Sequence, residues 1–405
     1  MAFLLLLATL FLTLASASPF PPSGGPGKFS VKAKRNEHYN PNGPAQYAKA
    51  LTKWGGKVPK GLARYVANKG QVSSVEAVPF RDDREYISSV GFGTPPQYLP
   101  VDLDTGSADV WIYSSETRLD DLGNHTRWTP ENSTTAVPIN ASTWSIQYGD
   151  QSYAYGTAWK ETITLGGLTI PDAVVESALD VSPSLAEDPM LGGIFGLAPG
   201  LGSEVIPSHP TVLDTLLPLL ERPLFTADLR YHAHSTYTFG HIDPAAHKGA
   251  IHYIPLVPGA EFWEINYNGF NVGSDTNWFL SRWDAIVDTG TSLLLLQDDI
   301  VRLYYAQIPQ ARYNASWGIW EFPCATTRRL PDFKMGFGKW HTAVPGRYMN
   351  YTVLDPAAGT CMGGLQSSMG SSFGIIGDIF LKAVFVVFDV AGKRVGFADK
   401  AAVHK

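Results

Sequence analysis

From about residue 80 onward the chain reads as short apolar-rich runs set off by Gly, Asn, Asp or Pro. Examples are EYISSVGFG, TWSIQYG, AWKETITLGG, STYTFG, AIHYIPLV and AVFVVFDVAGKRVGFA. Strand-length runs at that spacing, rich in β-branched and aromatic residues, predict an all-β body with few helices. Two segments, HPTVLDTLLPLLE and QDDIVRLYYAQI, carry their apolar residues at helical spacing and predict the minor helices. A further helix-compatible stretch, AQYAKALTKW, precedes the body at residues 45–54.

The body is internally duplicated. Val101-Asp102-Leu103-Asp104-Thr105-Gly106-Ser107 returns as Ala285-Ile286-Val287-Asp288-Thr289-Gly290-Thr291. Each copy is followed, about 90 residues on, by two apolar residues and a glycine: Ile194-Phe195-Gly196 and Ile375-Ile376-Gly377. One Asp-Thr-Gly triplet is ordinarily a turn with a capping Asp. Two copies with matching lead-in and matching downstream glycine predict two related lobes.

Charge changes the picture at the amino-terminal end. Residues 18–75 hold ten Lys/Arg and one acid, Glu37, whereas residues 76–405 hold 21 Lys/Arg and 36 acids. A body this acidic repels phosphate and excludes nucleic acid as a partner. The basic segment complements it and is expected to be a removable inhibitory propeptide; a basic arm that binds another partner is the alternative. Ahead of it, residues 2–14 (AFLLLLATLFLTL) form an apolar run that leads into Ala15-Ser16-Ala17, the pattern of a secretory signal peptide without a basic first region. The run is too short for a membrane anchor, and no later segment is long and apolar enough to span a bilayer. The expected boundaries are therefore a signal peptide at 1–17, a propeptide at 18–75, a first lobe at 76–248 and a second at 249–405.

A secreted chain suits the five N-x-S/T sequons at Asn124, Asn132, Asn140, Asn314 and Asn350. It also makes a Cys324–Cys361 disulfide the expected state of the two cysteines, which are too few for a disulfide scaffold or a Cys-based zinc site. The ten His include no H-E-x-x-H. His232 and His234, two apart, are expected on an exposed strand face.

Duplication makes chemical sense if each lobe brings one carboxylate to a shared site. Two adjacent carboxyls cannot both ionise cheaply and hold a proton between them. The ionised one can then accept a proton from water while the other polarises a carbonyl. Gly106 and Gly290 let the two loops approach, and the Thr105 and Thr289 hydroxyls can satisfy buried groups of the opposite loop.

With Asp104-Thr105-Gly106-Ser107, Trp111, Tyr148-Gly149 and Asp288-Thr289-Gly290-Thr291-Ser292, the chain resembles the pepsin-like aspartic proteases over residues 80–398, and the stretch Ser107–Trp111 is most like the secreted fungal members. The resemblance implies a bilobal fold with a cleft between two β-barrel-like lobes. It also implies a hairpin flap at about 145–155 that carries Tyr148, with Trp111 as its hydrogen-bonding partner. Asp104 and Asp288 would be catalytic, with Ser107 and Thr291 bonded to their outer oxygens. Gly149, Asp150 and Gly290 would hold substrate backbone. No metal or cofactor is implied, and the expected partners are polypeptide substrates and the chain's own propeptide, with the protein a monomer. The flap departs from many relatives in having Gln151 in place of Gly. Asp150 could accept a substrate Lys before the scissile bond; its other reading is a solvent-facing turn residue. The implied activity is acid-range endoproteolysis from a secreted zymogen. A catalytically silent binding protein of the same fold is the alternative, and a two-carboxylate glycosidase leaves the duplicated triplet unexplained.

Overall fold

The computed structural model describes residues 27–35, 42–69, 86–147, 153–186, 190–273 and 278–402. The stretch read as a signal peptide and the tip of the expected flap at 148–152, with Tyr148, Gly149 and Asp150, lie outside the described residues.

Strands dominate, and the body is all-β and bilobal. The chain begins with β1 (Phe29–Arg35), two helices α1 (Gly43–Lys53) and α2 (Lys60–Lys69), then β2 (Tyr86–Phe92), β3 (Gln97–Asp104) and β4 (Val110–Tyr113). The two stretches with helical spacing form short helices at Val212–Leu216 and Asp298–Tyr305. His232 and His234 are exposed, but they stand in the turn before strand Ser235–Phe239, not on a strand. His232 there has a φ of 54°, a left-handed conformation outside the broad β region that strand residues ordinarily occupy.

The duplicated sequence becomes a duplicated pairing. β3 runs parallel to strand Gly193–Gly196 in the register Asp102↔Ile194, Leu103↔Phe195, Asp104↔Gly196. In the second lobe, strand Phe279–Val287 runs parallel to Gly374–Ile376 with Ala285↔Gly374, Ile286↔Ile375 and Val287↔Ile376. Each apolar-apolar-Gly element is thus the parallel neighbour of an Asp-bearing strand. Parallel strands covered on both faces need continuous apolar runs, and both elements are buried throughout.

One 14-stranded sheet joins the lobes. It passes from the carboxy-terminal strands Val384–Asp389 and Arg394–Lys400 through Leu224–Asp228 and Ser235–Phe239 to β1, and from β1 into the first lobe. β1 pairs with Ser235–Phe239 on one side (Phe29↔Phe239) and with β2 on the other (Ala33↔Ser88). Behind the seam, Phe225 stacks on Phe388 at 4.7 Å and packs edge-on to Trp263 at 5.8 Å. Each such fully buried large side chain contributes about 1.5–3 kcal/mol. The Trp263 indole also donates to the Leu197 carbonyl at 2.9 Å, tying the lobes one residue beyond Gly196. Cys324 and Cys361 form a disulfide that links the turn Cys324–Arg329 to strand Thr360–Gly363.

Candidate active site

Asp104 ends β3 and Asp288 follows strand Phe279–Val287, so the two lobes deliver their carboxyls to one point on their common boundary. They are 2% and 0% exposed. Each receives the same pair of donors. The Gly106 amide donates to Asp104 Oδ1 at 2.8 Å and the Ser107 hydroxyl to Oδ2 at 2.6 Å. The Gly290 amide donates to Asp288 Oδ1 at 2.9 Å, and the Thr291 hydroxyl donates to Oδ2.

The threonines bond across the lobes. Thr105 Oγ1 donates to the Val287 carbonyl at 3.0 Å and accepts the Thr289 amide at 3.0 Å. Thr289 Oγ1 donates to the Leu103 carbonyl at 2.6 Å and accepts the Thr105 amide at 3.1 Å. Four buried backbone groups at the loop tips are satisfied this way, each of which would cost about 1–3 kcal/mol if left unpaired. The pattern fixes both lobes' approach to each other.

Glycine is required between the carboxyls for space. A Cβ on Gly106 would lie 2.5 Å from Asp288 Oδ1, and one on Gly290 would lie 2.2 Å from Asp104 Oδ1. Gly290→Ala is therefore expected to push the carboxyls apart and lower turnover in the peptide hydrolysis implied by the resemblance by at least about a hundredfold, because misplacement by 1 Å already costs that much. Peptide hydrolysis by the purified variant checks this; turnover within tenfold of the parent contradicts it.

A cation stands between the two acids. Lys53, at the end of α1, places Nζ 3.0 and 3.1 Å from the two oxygens of Asp104 and 3.2 Å from Asp288 Oδ2. Asn42 caps the helix start, Pro44 occupies its first turn, and the helix end brings its one last-turn base to the dyad. Beside it Trp54 packs edge-on against Phe262 at 4.9 Å and Phe373 at 6.0 Å, while its indole donates to Thr291 Oγ1 at 3.2 Å. The remainder of the segment docks on the second lobe. The Tyr47 hydroxyl donates to the Ser367 carbonyl at 2.8 Å, Lys57 donates its amide to the Met369 carbonyl at 3.1 Å, and Tyr65 of α2 lies against Trp317.

Burial drives both carboxyls upward, and Lys53 pulls both down. For Asp104 the ammonium and the hydrogen bonds from its neighbours win, leaving it below the usual carboxylate range. For Asp288 burial and the charge of Asp104 win, leaving it above that range. The pair thus favours a single negative charge opposite Lys53.

Of the flap, its two arms are described: Trp144–Gln147 pairs with the start of Tyr153–Leu165, Ser145 opposite Tyr155. Trp111 is fully buried, packs edge-on to Tyr113 at 5.7 Å and faces Trp144 at 6.5 Å. The Ser292 carbonyl accepts the Ile379 amide at 3.1 Å.

Sequence reasoning missed several contributors. Asp102 and Asp378 stand where the opposite copy has Ile286 and Leu197, so each lobe adds one acid that the repeat does not share. Burial and the charge of Asp104 push Asp102 up to about 8, against the pull of Lys49 and Lys53. Burial also raises Asp378 well above its ordinary value, with Lys382 opposing. The repeat's mismatches were the available signal for both. Phe262, Phe373 and Trp54 carried none.

The description "Eukaryotic aspartyl protease" belongs to the family profile that matches residues 85–400. Endothiapepsin of Cryphonectria parasitica is 41% identical over 388 residues, covering 94% of this chain and 92% of the relative. Aspergillopepsin-1 of Aspergillus fumigatus is 41% identical over 363 residues, 89% of each chain. Penicillopepsin-2 of Penicillium janthinellum is 37% identical over 361 residues, 89% of this chain and 88% of the relative.

Proposed function

The chain belongs to the pepsin-like eukaryotic aspartyl protease family and is an aspartic endopeptidase acting on polypeptides; on that premise we propose that Asp104 and Asp288 are its catalytic pair and that the chain is a latent, secreted precursor active in acid. The observation that carries this reading is the mirrored donor set on two buried carboxyls that together hold one lysine ammonium.

Once Lys53 leaves, a water can occupy the position its ammonium held. The ionised carboxylate takes a proton from that water as its oxygen attacks the scissile carbonyl carbon. The protonated carboxyl gives its proton to the carbonyl oxygen, forming a neutral gem-diol. Collapse of the diol breaks the C–N bond, with a proton passing to the departing nitrogen. Ser107 and Thr291 hold the outer oxygens, and the two Thr crossings hold the distance. Because the pair must carry one proton, activity belongs to the acidic range. Hydrolysis of a denatured protein at about pH 3–5, suppressed by a statine-type transition-state analogue, is the expected result. Failure of that analogue to inhibit would remove the assignment.

The segment through residue 75 acts as the inhibitor: Lys53 neutralises the dyad, Trp54 fills an aromatic recess, and β1 holds the mid-sheet position. The mature enzyme acts as a monomer. Secretion rests on the apolar leader read from the sequence. Among the described residues no helix is long and apolar enough to cross a membrane.

Secretion carries a prediction about sugar. Asn124, Asn132 and Asn140 are exposed, whereas Asn314 and Asn350 are half-buried. Asn314 Oδ1 accepts the Ser316 and Trp317 amides, and Asn350 Oδ1 is enclosed without a hydrogen-bond partner among the described residues. Glycopeptide mass spectrometry of the secreted protein is expected to find glycan at the first three sites and not at Asn350. A fully occupied Asn350 contradicts the prediction.

A further inference from the structure

One face of the second lobe's sheet carries a short row of bare backbone. Gly269 of strand Glu264–Val272 pairs with Gly336 of strand Phe333–Phe337, and Gly336 pairs in turn with His341 of strand Trp340–Val344. Directly paired residues share a face of the sheet, so the two glycines leave a gap beside the imidazole. The indole of Trp278, the residue just before strand Phe279–Val287, lies over that gap. A Cβ added to Gly269 or Gly336 would meet its ring at 3.6 or 3.4 Å, and the His341 ring stands edge-on to it at 5.3 Å. The glycines thus give the indole a flat bed, and the imidazole fixes its edge. Trp278 is nevertheless 37% exposed, an unusual outlay of aromatic surface for a ring so well seated.

Beside the ring opens a cavity of about 480 Å³, the size of a small-ligand site. None of its lining residues belongs to the two Asp-Thr-Gly loops. Trp278 and His341 line it together with Lys334 and Ala343, which pair with each other two residues along from Gly336 and His341 and so lie on the same face. Asp399 of strand Arg394–Lys400 adds a carboxylate. Neither Lys334 nor Asp399 makes an ion pair or a side-chain hydrogen bond among the described residues. One ammonium and one carboxylate therefore face the same space beside a fixed aromatic ring, with their hydrogen-bonding capacity unspent.

This set of groups selects its ligand. An anion would meet Asp399 and a cation would meet Lys334, so a ligand without net charge fits best. It must offer an acceptor to the ammonium, a donor to the carboxylate, and a flat C–H surface to the indole. Sugar hydroxyls both donate and accept, and a pyranose ring has an apolar face of C–H groups. We propose that this cavity is a carbohydrate-binding site, separate from the peptidase cleft, in which a pyranose stacks on Trp278 and its hydroxyls bond to Lys334 and Asp399. The sugar could be carried by a glycoprotein substrate or by a structural polysaccharide, and in either case it would hold the enzyme close to its carrier.

The test is calorimetric titration of the full chain carrying Asp288→Asn, which prevents self-digestion, with α-mannotriose for the first source and cellotriose for the second. Saturable binding of one trisaccharide with a Kd of about 1 mM or tighter is expected. Trp278→Ala should weaken it at least about tenfold, and Lys334→Ala and Asp399→Ala about tenfold each, since each removes a hydrogen bond to a charged group. The two charge variants read the same site if Trp278→Ala does not fold. Saturation-transfer NMR should place the C–H protons of one ring face nearest the protein. Tighter binding of mannotriose assigns the glycoprotein source, and tighter binding of cellotriose the polysaccharide. The proposal is overturned if neither trisaccharide binds saturably, if all three variants bind like the parent, or if L-tyrosine binds there and the sugars do not. The readout is binding alone, so such a failure leaves the peptidase assignment standing.

Discussion

Asp104→Asn and Asp288→Asn are each expected to lower kcat/KM by at least about a thousandfold while leaving the fold intact. Asn has the shape of Asp and can still accept the Gly106 or Gly290 amide through its oxygen, so the loop geometry survives. The shared proton does not. An amide neither takes a proton from water nor gives one to a carbonyl, so the variant loses one half of the exchange and the remaining carboxyl cannot supply both. Both variants should lose activity together, since the two carboxyls act as a unit and the losses are not additive. Unchanged melting of the purified variants separates chemistry from unfolding. If either one retains activity within tenfold of the parent, the assignment of the pair fails.

The site was legible because it was written twice. A single Asp-Thr-Gly would have remained a turn, but the second copy and its downstream glycine identified two elements that meet as parallel neighbours of the Asp strands. The resemblance carried by Trp111, Ser107 and Thr291 then named the family that the profile and the relatives bear out. What the sequence concealed is the long-range pairing. β1 finds its place through partners such as Thr238, 208 residues away from Ser30, and no local pattern encodes so distant a register. Charge alone suggested that 18–75 covers the body; a strand within the joint sheet is a much closer engagement than a charged cover. Trp54 was equally hidden, because its recess is built by Phe262 and Phe373 from two distant parts of the second lobe. Asp102 and Asp378 were overlooked for the opposite reason. They break the repeat, and a reading that searches for identity passes over mismatches.

Lys53→Met is expected to abolish latency near neutral pH. The methionine preserves most of the stem's length and removes the ammonium, so the two carboxyls lose the one cation that contacts them among the described residues while staying buried. Removing one partner from a buried pair costs about 3–5 kcal/mol, a shift of about 10² to 5 × 10³ in the balance between latent and open chain. The sign with pH follows from the directions at the dyad. Asp104 is held below its ordinary value, so the stability it gives the latent form is present above the usual carboxylate range and is lost only as pH falls through its lowered value. Lys53 is raised, since attraction to Asp104 and then Asp288 overcomes its burial, and it stays charged through neutrality. The contact therefore persists across mild acid, and wild-type release should require strong acid or protonation of further carboxylates facing the basic segment. In the variant that barrier is absent. Lys53→Arg is not a conservative control, because a Cβ placed on Gly106 would already come within 2.6 Å of Nζ, leaving no room there for a guanidinium. The measurement is cleavage of a peptide by unprocessed full-length chain across pH, with the wild type silent at pH 7 and the methionine variant active as far up as the dyad retains its shared proton. A variant as silent as the wild type at every pH down to strong acid would show that Trp54 and β1 maintain latency without the lysine.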